Sequence, residues 1–177
     1  PYRSLNVSWA GRGEMGTLTG IDAIGAEFDL KGEQVIAAFY LNELLIRLLH
    51  KHESHPELFE AYLVALTRLA HSEPIMMALR YFEKHLLNAL GYGLVLDHDV
   101  ESGEPIRGGQ DYYYKLDHGP CFSKPVNTAY ISISGNTLLA LDREELNEGS
   151  AQEEAKQLMR MTLKTLLGEK PMASRDL

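Results

Sequence analysis

The chain has 177 residues and a mass of 19.9 kDa, which is long enough to bury a substantial core, and its 45% hydrophobic and 24% charged residues are typical of a soluble globular protein. Its single cysteine, Cys121, excludes an internal disulfide and a multi-cysteine zinc site, and because nothing is typical of a signal peptide or a membrane span we predict a cytoplasmic protein. The net charge of −8 argues against a surface that binds nucleic acid throughout, although a local basic patch still permits such binding.

The first 28 residues are predicted to form the end of a β domain. Leu5, Val7 and Trp9 alternate with polar residues, which is the pattern of a half-buried strand. A turn over residues 10–13 and a second strand over 14–18 complete a hairpin. Two strands cannot bury a core alone. They therefore either pack on the rest of the chain or continue a small sheet or barrel, and the start without Met favours the second explanation.

Residues 33–51 are predicted to form the helix around which the chain is organised. Apolar side chains cover most of its circumference, and a helix of this kind must be covered by other elements. It is too interrupted by polar groups to span a membrane. The narrow polar strip comprises Gln34, Asn42, Glu43, Arg47 and His50.

Three more long helices are predicted to pack around this central helix, over residues 55–71, 73–90 and 151–167. Each has an apolar face at helical spacing and residue types that favour helix ends. The predicted caps are the pairs Ser54–Glu57 and Ser150–Glu153, together with Ser72, Gly91 and Gly168.

The composition changes after the third helix, where Gly and Asp become frequent and no helical period holds. We predict an inserted lobe with short strands at residues 94–96 and 112–114, followed by a strand at 130–134 and a short helix at 136–141. An insertion of this length is often functional.

Candidate metal ligands lie at the two ends of this lobe. Asp97, His98 and Asp99 stand at one end, and His118 and Cys121 at the other. Zinc takes such ligands, but their spacing matches no strong zinc pattern, and the alternative is a polar loop. Cys121 with His118 suggests a thiol site, although a lone cysteine is more often a small buried hydrophobe. A metal-dependent enzyme or a ligand-sensing helical domain that uses His98 and His118 is therefore an alternative function.

Two groups of side chains are candidates for contact with nucleic acid. Trp9 and Arg12 in the hairpin offer a stacking ring and a cation, as single-strand binders do. Lys156, Arg160 and Lys164 are four residues apart and form a basic stripe on the last helix. The alternative is that Trp9 belongs to a core, that Arg12 is a solvated turn residue and that the stripe is a solvated helix face.

Arg80 is a candidate anchor for an acidic peptide. It follows Leu79 on the third helix and lies near Met76 and Met77. A cation at the rim of an apolar groove binds a peptide carboxylate while hydrophobic side chains fill the groove. The alternative is an exposed arginine over a packed helix.

Four passages in this order resemble the RecO family of bacterial recombination mediators. They are WAGRGEMGTL (9–18), YLNELL (40–45), LRYFEKHLLNALGYG (79–93) and LLGEKPMASRDL (166–177). No single passage is decisive, but the four together are specific, and the resemblance spans essentially the whole chain.

The resemblance implies a mainly α fold with three parts. RecO proteins have an N-terminal OB-fold barrel, a helical domain and a small lobe that binds zinc in some members. Residues 1–28 would be the C-terminal remnant of the OB fold and its linker, and 29–177 the helical domain, with a lobe inserted at about 92–129. Where zinc-binding members have two CxxC pairs, the first falls on Asp99 and Ser102, and only Cys121 remains near the second. The lobe is therefore predicted to be a degenerate zinc finger with no metal and no cofactor.

The resemblance also implies a function without catalysis. RecO proteins bind single- and double-stranded DNA, anneal complementary strands and bind the acidic C-terminal tail of single-stranded DNA-binding protein (SSB). With RecR they promote RecA loading on SSB-coated DNA. By this resemblance Arg80 would contact the tail carboxylate and Leu79 would line its groove. DNA would be held by the barrel with Trp9 and Arg12, assisted by the basic stripe on the last helix.

Overall fold

Five helices and two small antiparallel sheets make up the computed structural model, which describes residues 2–11, 16–71, 73–126, 128–146, 149–168 and 172–174. The helices are α1 (Glu33–Leu48), α2 (Pro56–Ala70), α3 (Ile75–Ala89), α4 (Gly135–Arg143) and α5 (Ser150–Leu167). The strands are β1 (Arg3–Ala10), β2 (Thr17–Glu27), β3 (Asp111–Lys115), β4 (Gly119–Cys121) and β5 (Ile131–Ser134). In the described part of the chain, none of these helices combines the length and the apolar character that crossing a membrane requires.

Helix α1 contacts α2, α3 and α5, and α3 likewise contacts the other three long helices, so these two helices share the middle of the bundle. The buried face of α1 contains small side chains beside large ones, which lets the neighbouring helices approach closely: Ala37, Ala38, Leu41 and Leu44 are buried. The expectation that the apolar residues of α1 are covered is wrong at three positions. Ile36 and Phe39 are exposed, and Ile46 is 82% exposed. One face of α1 is therefore buried against the other helices, and another face is exposed to solvent.

The predicted helix starts are less accurate than the helices themselves. No side-chain cap bond forms at the start of α2 or of α5, where His55 and Gly149 occupy the N-cap. Ser150 already lies inside the first turn of α5, so its hydroxyl is not in the capping position. The glycines predicted to end α3 and α5 follow these helices directly or within two residues, and both have positive φ, 81° at Gly91 and 68° at Gly168. Ser72 lies outside the described residues.

The N-terminal strands form an antiparallel hairpin as predicted, with Val7 opposite Ile21. The predicted bounds of the second strand, 14–18, are wrong, because β2 runs from Thr17 to Glu27. Their expected half-burial is wrong, because Leu5, Val7 and Ile21 are exposed and Trp9 is 69% exposed. Nothing within the described residues covers this apolar face, so the alternation of β1 produces a strand but no core. That the hairpin is part of an OB fold stays a prediction.

The second sheet joins the irregular lobe to the helical core. Its central strand is β3, which pairs antiparallel with β4 on one side and β5 on the other. Alternate side chains of β3 and β5, namely Tyr112, Tyr114, Ile131 and Ile133, are buried in the core of the chain. Residues 94–96, predicted as a strand, are not one, although Leu96 is buried.

Candidate functional site

Arg80 lies inside the protein, not at its surface. Its side chain on α3 is 5% exposed and forms two contacts with the carboxylate of Glu83, Nε to Oε2 at 2.6 Å and Nη2 to Oε1 at 2.7 Å. The hydroxyl of Tyr40 on α1 donates to the same Glu83 Oε1 at 2.5 Å. Burial, followed by the negative charge of Glu83, raises the pKa of Tyr40 well above its usual range. The three side chains form a buried polar cluster that joins α1 to α3.

The alternative prediction, an exposed arginine over a packed helix, is wrong, because the side chain of Arg80 is buried. An arginine can be buried here because Glu83 is one helical turn away and neutralises it. Leu79 is also buried and does not line the cleft described next. One nitrogen of Arg80, Nη1, has no hydrogen-bond partner among the described residues. The predicted roles of Arg80 and Leu79 in tail binding remain predictions.

A narrow cleft lies between α3 and the end of α4. We call it the α3–α4 cleft, and its volume of about 10 Å³ leaves room for about one water molecule. Apolar side chains and cations share its walls, a combination that suits a ligand with an apolar end and a carboxylate. Its lining comprises Met77, Arg80, Tyr81, Lys84, Leu141, Glu144 and Leu146.

Helical spacing explains the α3 wall of this cleft. Met77, Arg80, Tyr81 and Lys84 follow one another closely enough along the helix to share one face. The spacing of Arg80 and Lys84 is visible in the sequence, but only Arg80 was predicted as a site residue. The opposite wall, formed by residues 141–146, comes from a distant part of the chain, and no sequence pattern indicates that it lies here.

Charged contacts hold the two walls together. Lys84 Nζ donates to the carbonyl oxygen of Asp142 at 2.5 Å and lies 3.5 Å from Glu144 Oε1. His85 Nε2 lies 3.0 Å from the same Glu144 oxygen. At the outer end, the Arg68 guanidinium lies over the Tyr81 ring, 4.1 Å from its centroid, a favourable cation–π contact. A carboxylate of the chain itself thus already contacts the lysine of the cleft.

In the lobe, the Asp99 carboxylate connects two separate turns. Its Oδ1 accepts from the backbone N–H groups of Glu101 at 2.8 Å and Ser102 at 2.9 Å, and its Oδ2 accepts from that of Phe122 at 2.6 Å. Burial by itself raises the pKa of Asp99, but these three bonds outweigh it and hold the pKa below its usual value. A carboxylate thus links the turn at residues 99–102 to the backbone at Phe122.

The other lobe residues do not complete a zinc site. Cys121 is buried, and its thiol donates to the carbonyl oxygens of Tyr113 and Ser123 at 3.2 and 3.4 Å. Burial raises the pKa of this thiol, which disfavours the thiolate that a metal or a nucleophilic reaction needs. Among the described residues, no three His, Cys, Asp or Glu side chains are grouped to hold a metal ion. His98 contacts Asp97 at the surface instead, so this donor set does not fit zinc.

The basic stripe of α5 has the predicted geometry. Arg160 and Lys164 are exposed and Lys156 is partly exposed, and the described residues provide no salt bridge to any of them. Trp9 presents its ring to solvent, as a stacking platform requires. Arg12 lies outside the described residues. Their role in DNA binding stays a prediction.

An open groove near the start of α1 is a poor surface for DNA. Its volume is about 630 Å³, and Asp29, Glu33 and Glu73 contribute carboxylates to its walls. The one lysine in that lining, Lys31, already pairs with Asp29 at 2.7 Å. Such a surface repels a phosphate backbone.

The family described as "Recombination protein O C terminal" matches residues 30–176. Curated proteins named DNA repair protein RecO are similar along the chain. That of Nitrosococcus oceani is 42% identical over 177 residues, which cover 100% of this chain and 72% of the relative. The protein of Nitrosospira multiformis is 39% identical, covering 99% and 73%, and that of Alkalilimnicola ehrlichii is 43% identical, covering 100% and 70%.

These similarities place the chain in the class of DNA repair proteins, and its five helices with small antiparallel sheets are consistent with a RecO C-terminal helical domain. The chain belongs to the RecO family.

Proposed function

We propose that this chain is a recombination mediator that acts by binding and not by catalysis. It binds single- and double-stranded DNA and anneals complementary strands, it binds the acidic C-terminal tail of SSB, and with RecR it promotes RecA loading on SSB-coated DNA. Membership of the RecO family indicates the role in DNA repair and recombination. The observation that carries the tail-binding step is the α3–α4 cleft, where cations and apolar side chains share one surface.

The chemistry of the cleft matches that of an acidic tail with a hydrophobic end. Lys84 offers an ammonium group in one wall, and Arg80, whose Nη1 has no hydrogen-bond partner among the described residues, is also part of the lining. Charge-assisted hydrogen bonds of this kind are about twice as strong as neutral ones. Met77, Leu141 and Leu146 supply the apolar contacts. Since the volume admits only about one water, the cleft has to widen when the tail enters.

Fluorescence polarisation of a labelled SSB tail peptide tests this step directly. The intact tail is expected to bind saturably, while a peptide without its terminal residues is not. Lys84→Ala is expected to weaken binding by about tenfold or more, because one hydrogen bond to a charged group contributes about 1.5–3 kcal/mol and about 1.4 kcal/mol corresponds to a factor of ten. Lys51→Ala is the matched control, since Lys51 is exposed and lies outside the cleft. Equal affinities of the two variants would exclude the cleft as the tail site.

DNA binding is assigned to Trp9, Arg12 and the basic stripe of Lys156, Arg160 and Lys164. A cation that contacts a phosphate releases counterions, so affinity falls with salt in proportion to the number of phosphates that the protein neutralises. Replacing all three stripe residues by Glu is expected to reduce the slope of log affinity against log salt by about one for each phosphate that the variant no longer neutralises. An unaltered slope would show that the stripe does not contact DNA.

Trp9→Ala separates stacking from charge. A stacked base contributes about 1–3 kcal/mol, so single-stranded DNA should bind at least several-fold more weakly while duplex binding changes less. The ring is exposed, which makes the folded chain tolerant of this change. Equal weakening for both kinds of DNA would contradict a stacking role.

A further inference from the structure

The residue that ends α4 has an unusual conformation. Glu144 adopts the left-handed region, with φ of 61° and ψ of 31°, and its N–H caps the helix. Glycine is usual at such a position because it has no Cβ to crowd the backbone. The backbone of Glu144 is therefore strained, and the contacts of its side chain have to offset that strain.

Those contacts occupy Lys84, a cation in the lining of the α3–α4 cleft, and His85, the next residue on the helix. One oxygen of Glu144 lies 3.5 Å from Lys84 Nζ and 3.0 Å from His85 Nε2. The Glu144 carboxylate also affects Tyr81, a further residue of the same helix face. Burial raises the pKa of Tyr81, and the negative charge of Glu144 raises it further. Tyr81 precedes Lys84 and His85 by about one helical turn, so one carboxylate faces all three.

We propose that Glu144 is a built-in competitor for the acidic ligand of the α3–α4 cleft. This inference rests on the proposed function, and it adds how the site selects its ligand. The Glu144 carboxylate takes the place that a peptide carboxylate would occupy on Lys84 and His85. An incoming acidic tail must displace it, and the displaced side chain leaves a cleft that is larger than one water molecule.

A tethered competitor makes the site selective. Because Glu144 is part of the chain, its carboxylate is present at a high effective concentration and is not displaced by a single acidic group in solution. A ligand that combines several carboxylates with an apolar end gains contacts with Met77 and Leu146, two apolar side chains of the lining. The cleft therefore favours an acidic peptide with a hydrophobic terminus over acidic peptides in general.

Two substitutions remove the competitor in different ways. Glu144→Gln keeps the shape of the side chain, and Glu144→Gly introduces the residue that the backbone conformation favours. Glu145→Gln is the matched control: it changes the net charge equally, but Glu145 is exposed and lies outside the lining of the cleft. Circular dichroism and thermal unfolding establish that each variant is folded.

The measurement is fluorescence polarisation of the labelled SSB tail peptide at low salt, with an acidic peptide that lacks the apolar end beside it. We expect Glu144→Gln and Glu144→Gly to bind the tail about three- to tenfold more tightly than the wild type, which corresponds to about 0.7–1.4 kcal/mol. They should also discriminate less against the second peptide. The gain should shrink as salt screens the charged contacts.

The outcomes separate this inference from the proposed function. If the wild type binds and Glu144→Gln binds no more tightly than Glu145→Gln, Glu144 does not compete and the tail site stands. If the wild type does not bind but Glu144→Gln does, the competitor is shown directly. If every folded variant fails to bind, the cleft is not the tail site, and both proposals fall.

Discussion

Replacing Asp99 by Asn should destabilise the lobe by about 2–4 kcal/mol. The Asn oxygen can still accept from the backbone N–H groups of Glu101 and Ser102, but as a neutral group. The amide nitrogen faces the N–H of Phe122, where a carboxylate oxygen now accepts at 2.6 Å, and two donors then oppose each other. One hydrogen bond to a charged group is worth about 1.5–3 kcal/mol, and the two weakened bonds add the rest.

Amide hydrogen exchange is the assay that detects this destabilisation even if only the lobe opens. The Phe122 amide of Asp99→Asn should exchange roughly 30-fold or more faster than in the wild type, because about 1.4 kcal/mol corresponds to each factor of ten. Asp97→Asn is the control, because that exposed carboxylate bonds to the neighbouring His98 ring and links no distant turns. Equal exchange at Phe122 in both variants would refute the bridging role of Asp99.

The effect should also depend on pH, with a sign fixed by the lowered pKa of Asp99. A carboxyl whose pKa is lower in the folded state stabilises that state above its unfolded pKa, about 3.9, and loses this contribution as the pH falls through the folded value. The difference in stability between wild type and Asp99→Asn should thus be full at neutral pH and narrow in acid. A difference that stays constant down to about pH 2 would contradict the assignment.

Three other substitutions test the packing of the helices. Arg80→Ala leaves the buried Glu83 carboxylate without its cationic partner and should lower the free energy of unfolding, measured with urea, by about 3–5 kcal/mol. A loss below about 1 kcal/mol would show that the pair is not buried in solution. Glu43→Gln should speed amide exchange at residues 173 and 174, whose N–H groups bond to Glu43 at 2.9 and 3.0 Å. Burial alone raises the pKa of Glu43, but its hydrogen bonds lower the pKa overall. The difference in exchange rate between the variant and the wild type should therefore vanish in acid, where Glu43 is protonated. Unchanged exchange at neutral pH would refute the contact between Glu43 and residues 173 and 174. Gly135→Ala places a Cβ against the carbonyl oxygen of Arg107, a backbone clash that should lower the melting temperature; an unchanged value would mean that the turn moves freely.

The long helices were predictable because their periodicity directly reflects burial. Apolar side chains recur at helical spacing along α2, α3 and α5, and these positions form the core. Helix starts were less predictable, because the serine of a capping box and the serine of a first turn look alike in sequence. At Ser150 the second possibility is correct.

Only the α3 wall of the α3–α4 cleft contains a residue that was predicted from the sequence as part of a site. The burial of Arg80 could not be predicted from the sequence, because arginine is rarely buried. Its burial depends here on Glu83, which also binds Tyr40 from another helix. The contribution of Glu144 depends on contacts with α3 residues about 60 positions earlier, and no local pattern reports a contact over that separation. The sequence predicted Asp99 to occupy a position where a metal-binding cysteine is missing. In the structure its carboxylate instead links two turns by hydrogen bonds.

The pairing of β3 with β5 has a consequence for engineering. Residues 92–129 resemble an insertion in sequence, so the sequence alone predicts that a short linker could replace them without loss of the helices. The deletion would also remove β3, the strand with which β5 pairs, and would uncover Ile131 and Ile133. A bare strand edge beside exposed isoleucines promotes aggregation. A shortened version of this protein therefore needs a substitute strand in place of β3, because the lobe is not a detachable module.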